Sequence, residues 1–462
     1  MADDGQIHPM RSSIGSKIEG GADRPRVRRR GSRSRRLDRR RGGRGRIVII
    51  VQNMSVPLDR RVWQECLALR GQGYRVEVIC PRGRGQHRRQ VIEGVEIHTY
   101  APPPTTRGFG SYLLEFSYCW LRTFLISVRL RLRGRIDVIQ ACNPPDTYFV
   151  LALLHRLFGT RFVYDQHDLC PEVYLSRFGG GRRFLLRGLR WLERGTYRSA
   201  DHVVVTNDSY RRVAMDRGRV DPQSITVVRS GPDPDRMVRG EPHPALRNGR
   251  SFLCCWLGIM GPQDGVDLLL HSISVLVHDL GRTDVQFALM GYGDCLDDLV
   301  KLSAALEIEP WVTFTGPVGP SEIAQFLSTA DIGLSADPLS PLNDVSTMNK
   351  TMEYMAYGVP VVAYDLNETR VSAESAALYV KPNDVFAYAQ AISDLLDRPE
   401  QRAAMGRIGR RRVESVLSWH IQVPGYVAVF DRLVRRPEPR SAPYEPEPPS
   451  STLMLAEVVG GS

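Results

Sequence analysis

Short, wholly apolar runs separated by polar turns set the pattern of the chain from Arg46 onward. RIVIIV at 46–51 is such a run, and a parallel strand covered on both faces reads this way. A helix-like stretch from Arg61 to Leu69 follows, and YRVEVIC at 74–80 is the next strand, which gives a βαβ opening. The unit recurs as IDVIQAC at 136–142, an apolar helix near 147–157, RFVYDQHD at 161–168, HVVVTND at 202–208 and ITVVRSG at 225–231. A Pro- and Gly-rich connector then leads to a second series: SFLCCWLG at 251–258, VQFALMGYGD at 285–294, WVTFTG at 311–316, ADIGLS at 330–335 and VPVVAY at 359–364. Strands alternating with helices predict parallel, doubly wound sheets, here two Rossmann-like α/β domains. Open sheets of this kind receive ligands beyond the carboxyl ends of their strands.

A length of 462 residues suits two such cores. The expected organisation is a tail at 1–45, a first domain at 46–232, a linker at 233–250, a second domain at 251–417, a last helix at 418–435 and a tail at 436–462. The first tail is rich in Arg, Gly and Ser and the second in Pro, so both are expected to be disordered. The net charge of +11 has a local origin: thirteen arginines stand between Arg24 and Arg46 against one acid, Asp38, and the rest of the chain is close to neutral. That distribution excludes a globally basic nucleic-acid binder. Eight scattered cysteines without a C-x-x-C pair read as buried free thiols, which fits a reducing cytoplasm. The apolar stretch from Ser111 to Leu132 is interrupted by Glu115, Arg122, Arg129 and Arg131, so it is expected as a helix at or under the surface and not as a membrane span.

The motifs carry a resemblance. The order RVWQECLALRGQGYRVEVICP, DVIQACNPPD, VYDQHDL, VVRSGPDPDRM, ALMGYGD, VTFTG and NKTMEYMAYGVPVVAYD resembles retaining glycosyltransferases of family 4, over about residues 46–435. The resemblance implies the GT-B fold, with an acceptor domain and a nucleotide-sugar donor domain facing a cleft. It also implies transfer of a hexose with retention, the leaving diphosphate itself assisting the acceptor, so no nucleophile is assigned to Asp165 or Asp168.

Glu353, followed by Gly358, Pro360, Val361 and Val362, matches the family's donor-closing helix, and the resemblance makes Glu353 the acceptor of hydrogen bonds from the ribose hydroxyls. A carboxylate suits that task because it accepts and never donates. SerThrMetAsnLys at 346–350 supplies a helix start with Ser346 or Thr347 as N-cap. The free amides at Met348 and Asn349 and the charge of Lys350 would then face the donor diphosphate. Gly258, Gly261, Gly291 and Gly293 are expected at the same site, as backbone-approach positions at strand ends. His167 resembles the family's histidine beside the transferred sugar. Closure of the domains is expected to bring His167 towards Lys350 and Glu353.

The family pattern is broken in three places. Val345, with Asp344 beside it, stands where the first Glu of Glu-x7-Glu belongs, and Ile259 and Asp264 stand where an Arg and a Lys are usual.

No Asp-x-Asp metal motif and no His/Cys ligand spacing stands out in the sequence, so no metal and no cofactor beyond the nucleotide-sugar co-substrate is expected. For the acceptor, the basic amphipathic stretch from Arg182 to Arg194 fits an anionic lipid surface and a polyprenyl-linked glycolipid at the inner face of the membrane. It fits equally a domain helix whose Phe, Leu and Trp pack on the sheet while its Arg residues are solvated. A nucleotide-sugar epimerase or a phosphorylase on the same fold stands as an alternative. So does a polyanion binder acting through the Arg tail without a specific nucleic acid.

Overall fold

The computed structural model describes residues 44–434 except Arg84, 104–108 and 179–181. The tail expected at 436–462, and all of the 1–45 tail but its last two residues, lie outside the described residues. The first half runs β1 (Arg46–Ile50), α1 (Arg60–Gly71), β2 (Arg75–Pro81), β3 (Arg89–Ile92), β4 (Val95–Tyr100), α2 (Phe109–Leu132), β5 (Val138–Cys142), α3 (Phe149–Arg156), β6 (Arg161–Gln166), α4 (Cys170–Phe178), α5 (Arg183–Ser199), β7 (His202–Val205), α6 (Asp208–Asp216) and β8 (Ile225–Val227). The second half runs β9 (Phe252–Ile259), α7 (Val266–Ser274), β10 (Val285–Tyr292), α8 (Leu296–Ala305), β11 (Val312–Gly316), α9 (Pro320–Thr329), β12 (Ile332–Ser335), α10 (Asn349–Ala356), β13 (Val361–Tyr364), α11 (Asn367–Ala373), β14 (Ala377–Val380), α12 (Val385–Leu396), α13 (Pro399–Arg412) and α14 (Trp419–Leu433).

The strands form two sheets, ordered β3-β4-β2-β1-β5-β6-β7-β8 and β11-β10-β9-β12-β13-β14. The second is parallel throughout. The first ends in a hairpin, β3 antiparallel to β4, that the sequence reading left out. RQVI at 89–92 is half polar and too short to read as a buried run, and its pairing comes from the turn at Glu93-Gly94. β14 was missed for a similar reason, being four residues buried only at its two ends.

The apolar runs are apolar because both faces are covered. All of β1 is buried, with Ile47 and Ile49 in the cluster under α1 and α14, and Val48 and Ile50 in the cluster under α2 and α3. β1 lies between β2 and β5, and β9 lies between β10 and β12, so chain direction across each sheet reverses there. Each reversal opens a crevice at the carboxyl ends of the strands.

α14 lies against α1, and its Trp419, Tyr426, Val429 and Phe430 join the first sheet's cluster. The chain therefore passes between the two sheets twice, and the two passages touch. A Cβ on Gly231 would meet the Leu417 carbonyl at 2.0 Å, and Trp419 N donates to the Pro232 carbonyl at 3.0 Å.

One local expectation is corrected, and each of the two readings of α5 holds for part of the helix. α10 is capped by Met348, because the Ser346 hydroxyl donates to the Leu342 carbonyl and Thr347 Oγ1 accepts from Asn207 Nδ2. In α5 Phe184 is 60% and Trp191 68% exposed, among the exposed Arg183, Arg187, Arg190 and Arg194, while Leu192 and the buried Tyr197 pack on the first sheet's cluster. Among the described residues no helix is long and apolar enough to cross a membrane.

Candidate active site

The carboxyl ends of β9 and β10 form one wall of the cleft. Gly258 and Gly291 are in register, and a Cβ on Gly291, whose φ is +148°, would meet the Gly258 carbonyl at 1.8 Å. Only glycine permits that approach. Gly293 is pressed against the Met260 backbone, and Gly261 N donates to Asp264 Oδ2 at 3.1 Å. α10 reaches this wall by burial on every side. Its Tyr354 hydroxyl accepts from Leu257 N at 2.9 Å and donates to the Leu334 carbonyl at 3.2 Å, which ties the helix to β9 and β12.

Lys350 lies on the same wall, with its Cε 3.7 Å from where a Gly258 Cβ would stand. It is not a free charge. Nζ is 2.7 Å from Asp337 Oδ1 and 4.0 Å from Asp264 Oδ1, and 4.8 Å from the centre of the Trp256 ring. Burial raises the Asp264 carboxyl to about 6, against the pull of Lys350 and with the repulsion of Asp337. Met348 packs on the second core, and Asn349 opens α10 exposed to solvent. Asp344 faces elsewhere, accepting from Asn367 N at 3.0 Å and from its Nδ2 at 2.5 Å at the start of α11.

The opposite wall comes from the first sheet. Asn143, just after β5, accepts from His167 N at 2.6 Å and Asp168 N at 3.1 Å, and so fixes the turn that follows β6. His167 Nε2 is 2.7 Å from Asp165 Oδ2 and 3.2 Å from Arg61 Nε. We assign Nε2 as the donor to the carboxylate from the shorter of the two contacts. Asp165 is fully buried. Burial alone would raise its carboxyl, but Arg61 Nη2 at 2.9 Å, together with His167, holds it well below the usual range.

Behind this pair lies Glu65, pushed up by burial and by Asp165 despite Arg61 at 3.2 Å. Gln140 Nε2 donates to both carboxyls, at 2.7 Å to Glu65 and 3.0 Å to Asp165, while its Oε1 accepts from the Tyr426 hydroxyl at 2.7 Å. Cys142, Asp165 and His167 each place a ligand-type atom within 4.8 Å of the others, and the Arg61 guanidinium is the cation that meets this cluster.

The walls meet. Arg60 Nη2 donates to Glu353 Oε1 at 2.5 Å, and the adjacent Arg61 reaches His167, so Glu353 and His167 are linked through two consecutive arginines. Asn207 Nδ2 bonds the Val345 carbonyl at 2.9 Å, the Tyr210 hydroxyl meets Ser346 Oγ at 3.0 Å, and Ser209 Oγ donates to Glu368 at 2.5 Å. The Val345 side chain packs against the first sheet's cluster. The position where the family pattern has a carboxylate is an apolar contact between the two halves.

Two family descriptions match adjoining stretches: Glycosyl transferase 4-like domain over residues 58–231 and Glycosyl transferases group 1 over 251–398, one for each sheet. The chain belongs to the family 4 glycosyltransferases. Its fold is that of the sucrose-phosphate synthase of Thermosynechococcus elongatus, at a TM-score of 0.69 and 16% identity, covering 84% of this chain and 99% of that one. A D-inositol 3-phosphate glycosyltransferase of Kineococcus radiotolerans is 25% identical over 271 residues, 53% of this chain and 60% of that protein. A GDP-mannose-dependent alpha-(1-6)-phosphatidylinositol monomannoside mannosyltransferase of Mycolicibacterium smegmatis is 28% identical over 194 residues, 41% of this chain and half of that protein.

In this glycosyltransferase the sequence reading named His167 and Asp165 on one wall and Lys350, Glu353 and Asp264 on the other, and missed Arg60, Arg61, Glu65 and Asp337. Arg60, Arg61 and Glu65 sit on α1, where Arg and Glu four residues apart read as a solvated surface pair. Asp337 had a usable signal, an acid two residues beyond the end of β12 and so at a strand's carboxyl end.

Proposed function

We propose that this glycosyltransferase moves a hexose from a nucleotide-sugar to a glycolipid-type acceptor with retention of configuration and without a metal. The observation that carries the reading is that Arg60 and Arg61, adjacent on α1, reach Glu353 on one wall and His167 on the other, beside the close-packed glycine strand ends of the second sheet. Glu353 takes the ribose hydroxyls, and the glycines let the donor's phosphates approach the backbone at Gly258, Gly261 and Gly293. His167, held by Asp165, donates to or accepts from the transferred sugar. The bond from the anomeric carbon to the diphosphate oxygen breaks as the acceptor oxygen bonds on the same face, and the acceptor proton passes to the departing phosphate. Positioning and stabilisation of phosphate charge lower the barrier.

The exposed face of α5 supports a lipid-linked acceptor. Phe184 and Trp191 stand among arginines, and Leu153, Leu154, Leu157 and Phe158 at and after α3 are exposed as well. Arg131 lies over the Phe158 ring at 5.0 Å. Aromatics and arginines together on one exposed face suit an anionic bilayer surface.

Calorimetry of the purified protein with UDP, GDP and ADP, without added metal, tests the reading. One nucleotide binds saturably, and Glu353→Ala weakens it about ten-fold or more, the loss expected for a hydrogen bond to a charged group. Binding of none of the three sinks the proposal.

A further inference from the structure

The second wall is short of positive charge for a diphosphate. The loop Met260–Gly265 holds no Lys or Arg and one acid, Asp264. Lys350 is occupied by Asp337 and approached by Asp264, and Asp294 follows Gly293 at the mouth. One cation there faces three carboxyls. A nucleotide-sugar brings two further negative charges, and strand-end amides supply only partial charges against them.

The first wall has the opposite balance. Arg61 is committed to Asp165, the Val228 carbonyl and Ser230. Arg60 and Arg177 are not committed in this way. Arg177, on α4, has a side chain 38% exposed, and its Nη2 is 3.9 Å from Asp294 Oδ2 across the cleft. Its charge also draws down the Asp264 carboxyl, which places it electrostatically over the loop after β9. Arg60 has a side chain 44% exposed and ends on Glu353. Both arginines therefore stand on second-wall carboxylates at the rim, Arg177 in a long, exposed and so weak pair and Arg60 in a short pair whose carboxylate is nearly buried.

We propose that Arg60 and Arg177, from the first wall, supply the counter-charge for the donor's diphosphate. This rests on the nucleotide-sugar reading and deepens it. When the ribose hydroxyls take Glu353, Arg60 is released and its planar fork turns to a phosphate oxygen. Arg177 exchanges a long, exposed contact with Asp294 for a phosphate, which a guanidinium binds in bidentate fashion. The donor is gripped at its nucleoside end by the second wall and at its anionic middle by the first.

The test is calorimetry on the full chain with the nucleoside, the monophosphate and the diphosphate of the preferred base. Wild type binds the diphosphate more tightly than the nucleoside. Arg177→Ala lowers diphosphate affinity about ten-fold or more, the loss expected for a charge-assisted phosphate contact, and leaves nucleoside affinity unchanged. Arg60→Ala lowers diphosphate affinity as well but tightens the nucleoside, because a competitor for Glu353 is gone. Wild-type diphosphate affinity in both variants overturns this proposal and leaves the nucleotide-sugar reading standing. Failure of the wild type to bind any of the three ligands removes both.

Discussion

Arg61 is one guanidinium between two buried carboxyls, and only one of them needs to be charged. Asp165 carries the negative charge and Glu65 is held neutral by burial and by its neighbour. Removing Asp165 removes the repulsion that keeps Glu65 protonated, so Glu65 ionises and takes over as counter-ion. Asp165→Asn and Glu65→Gln should each cost about 1 kcal/mol, whereas the double variant strands Arg61 and should cost about 3–5 kcal/mol. Urea unfolding of the four proteins measures this, and additive losses would show that no charge moves. The residue scale also marks the limit of sequence reading. Glu353 and His167 were legible because they sit in distinctive strings, but the contacts that hold them in place join residues about a hundred to almost three hundred positions apart.

Strands buried on both faces are the elements a sequence shows best, and β1, β2, β5, β6, β9, β10 and β13 coincide with apolar runs. Elements defined by pairing were not legible: the β3–β4 hairpin is half polar, and β14 is only four residues long. Nor was the turn between β12 and α10, where Asp344 turns to α11 and Val345 to the first sheet. That packing makes an expected outcome specific. Restoring a carboxylate with Val345→Glu should not improve donor binding. It should destabilise the fold by about 1–3 kcal/mol, because the new acid enters an apolar contact without a partner. Thermal unfolding and nucleotide titration of the variant check both halves of this statement.

For the whole molecule, charge and apolar surface are separated by site. Apolar side chains are exposed on α3 and α5, with arginines exposed along α5 and Arg131 over Phe158, while acids line the second wall of the cleft. Vesicles containing anionic lipid should therefore retain the protein at low salt and release it as salt rises, since screening shortens the reach of surface charge. Trp191→Ala with Phe184→Ala should weaken retention several-fold without changing nucleotide affinity, measured by co-sedimentation; equal retention by that variant would assign the attraction to charge alone.

The two passages of chain between the halves, in contact at Gly231 and Leu417 and bonded from Trp419 to Pro232, have a mechanical meaning. A single tether lets two bodies twist, slide and swing. Two strands lying side by side act as the pin of a door: they resist torsion and shear and leave one soft rotation, a swing about the line through both. Were the halves to close on a donor, a swing of that kind would return each arginine of one half to the same partner on the other, with register across the gap kept by the backbone.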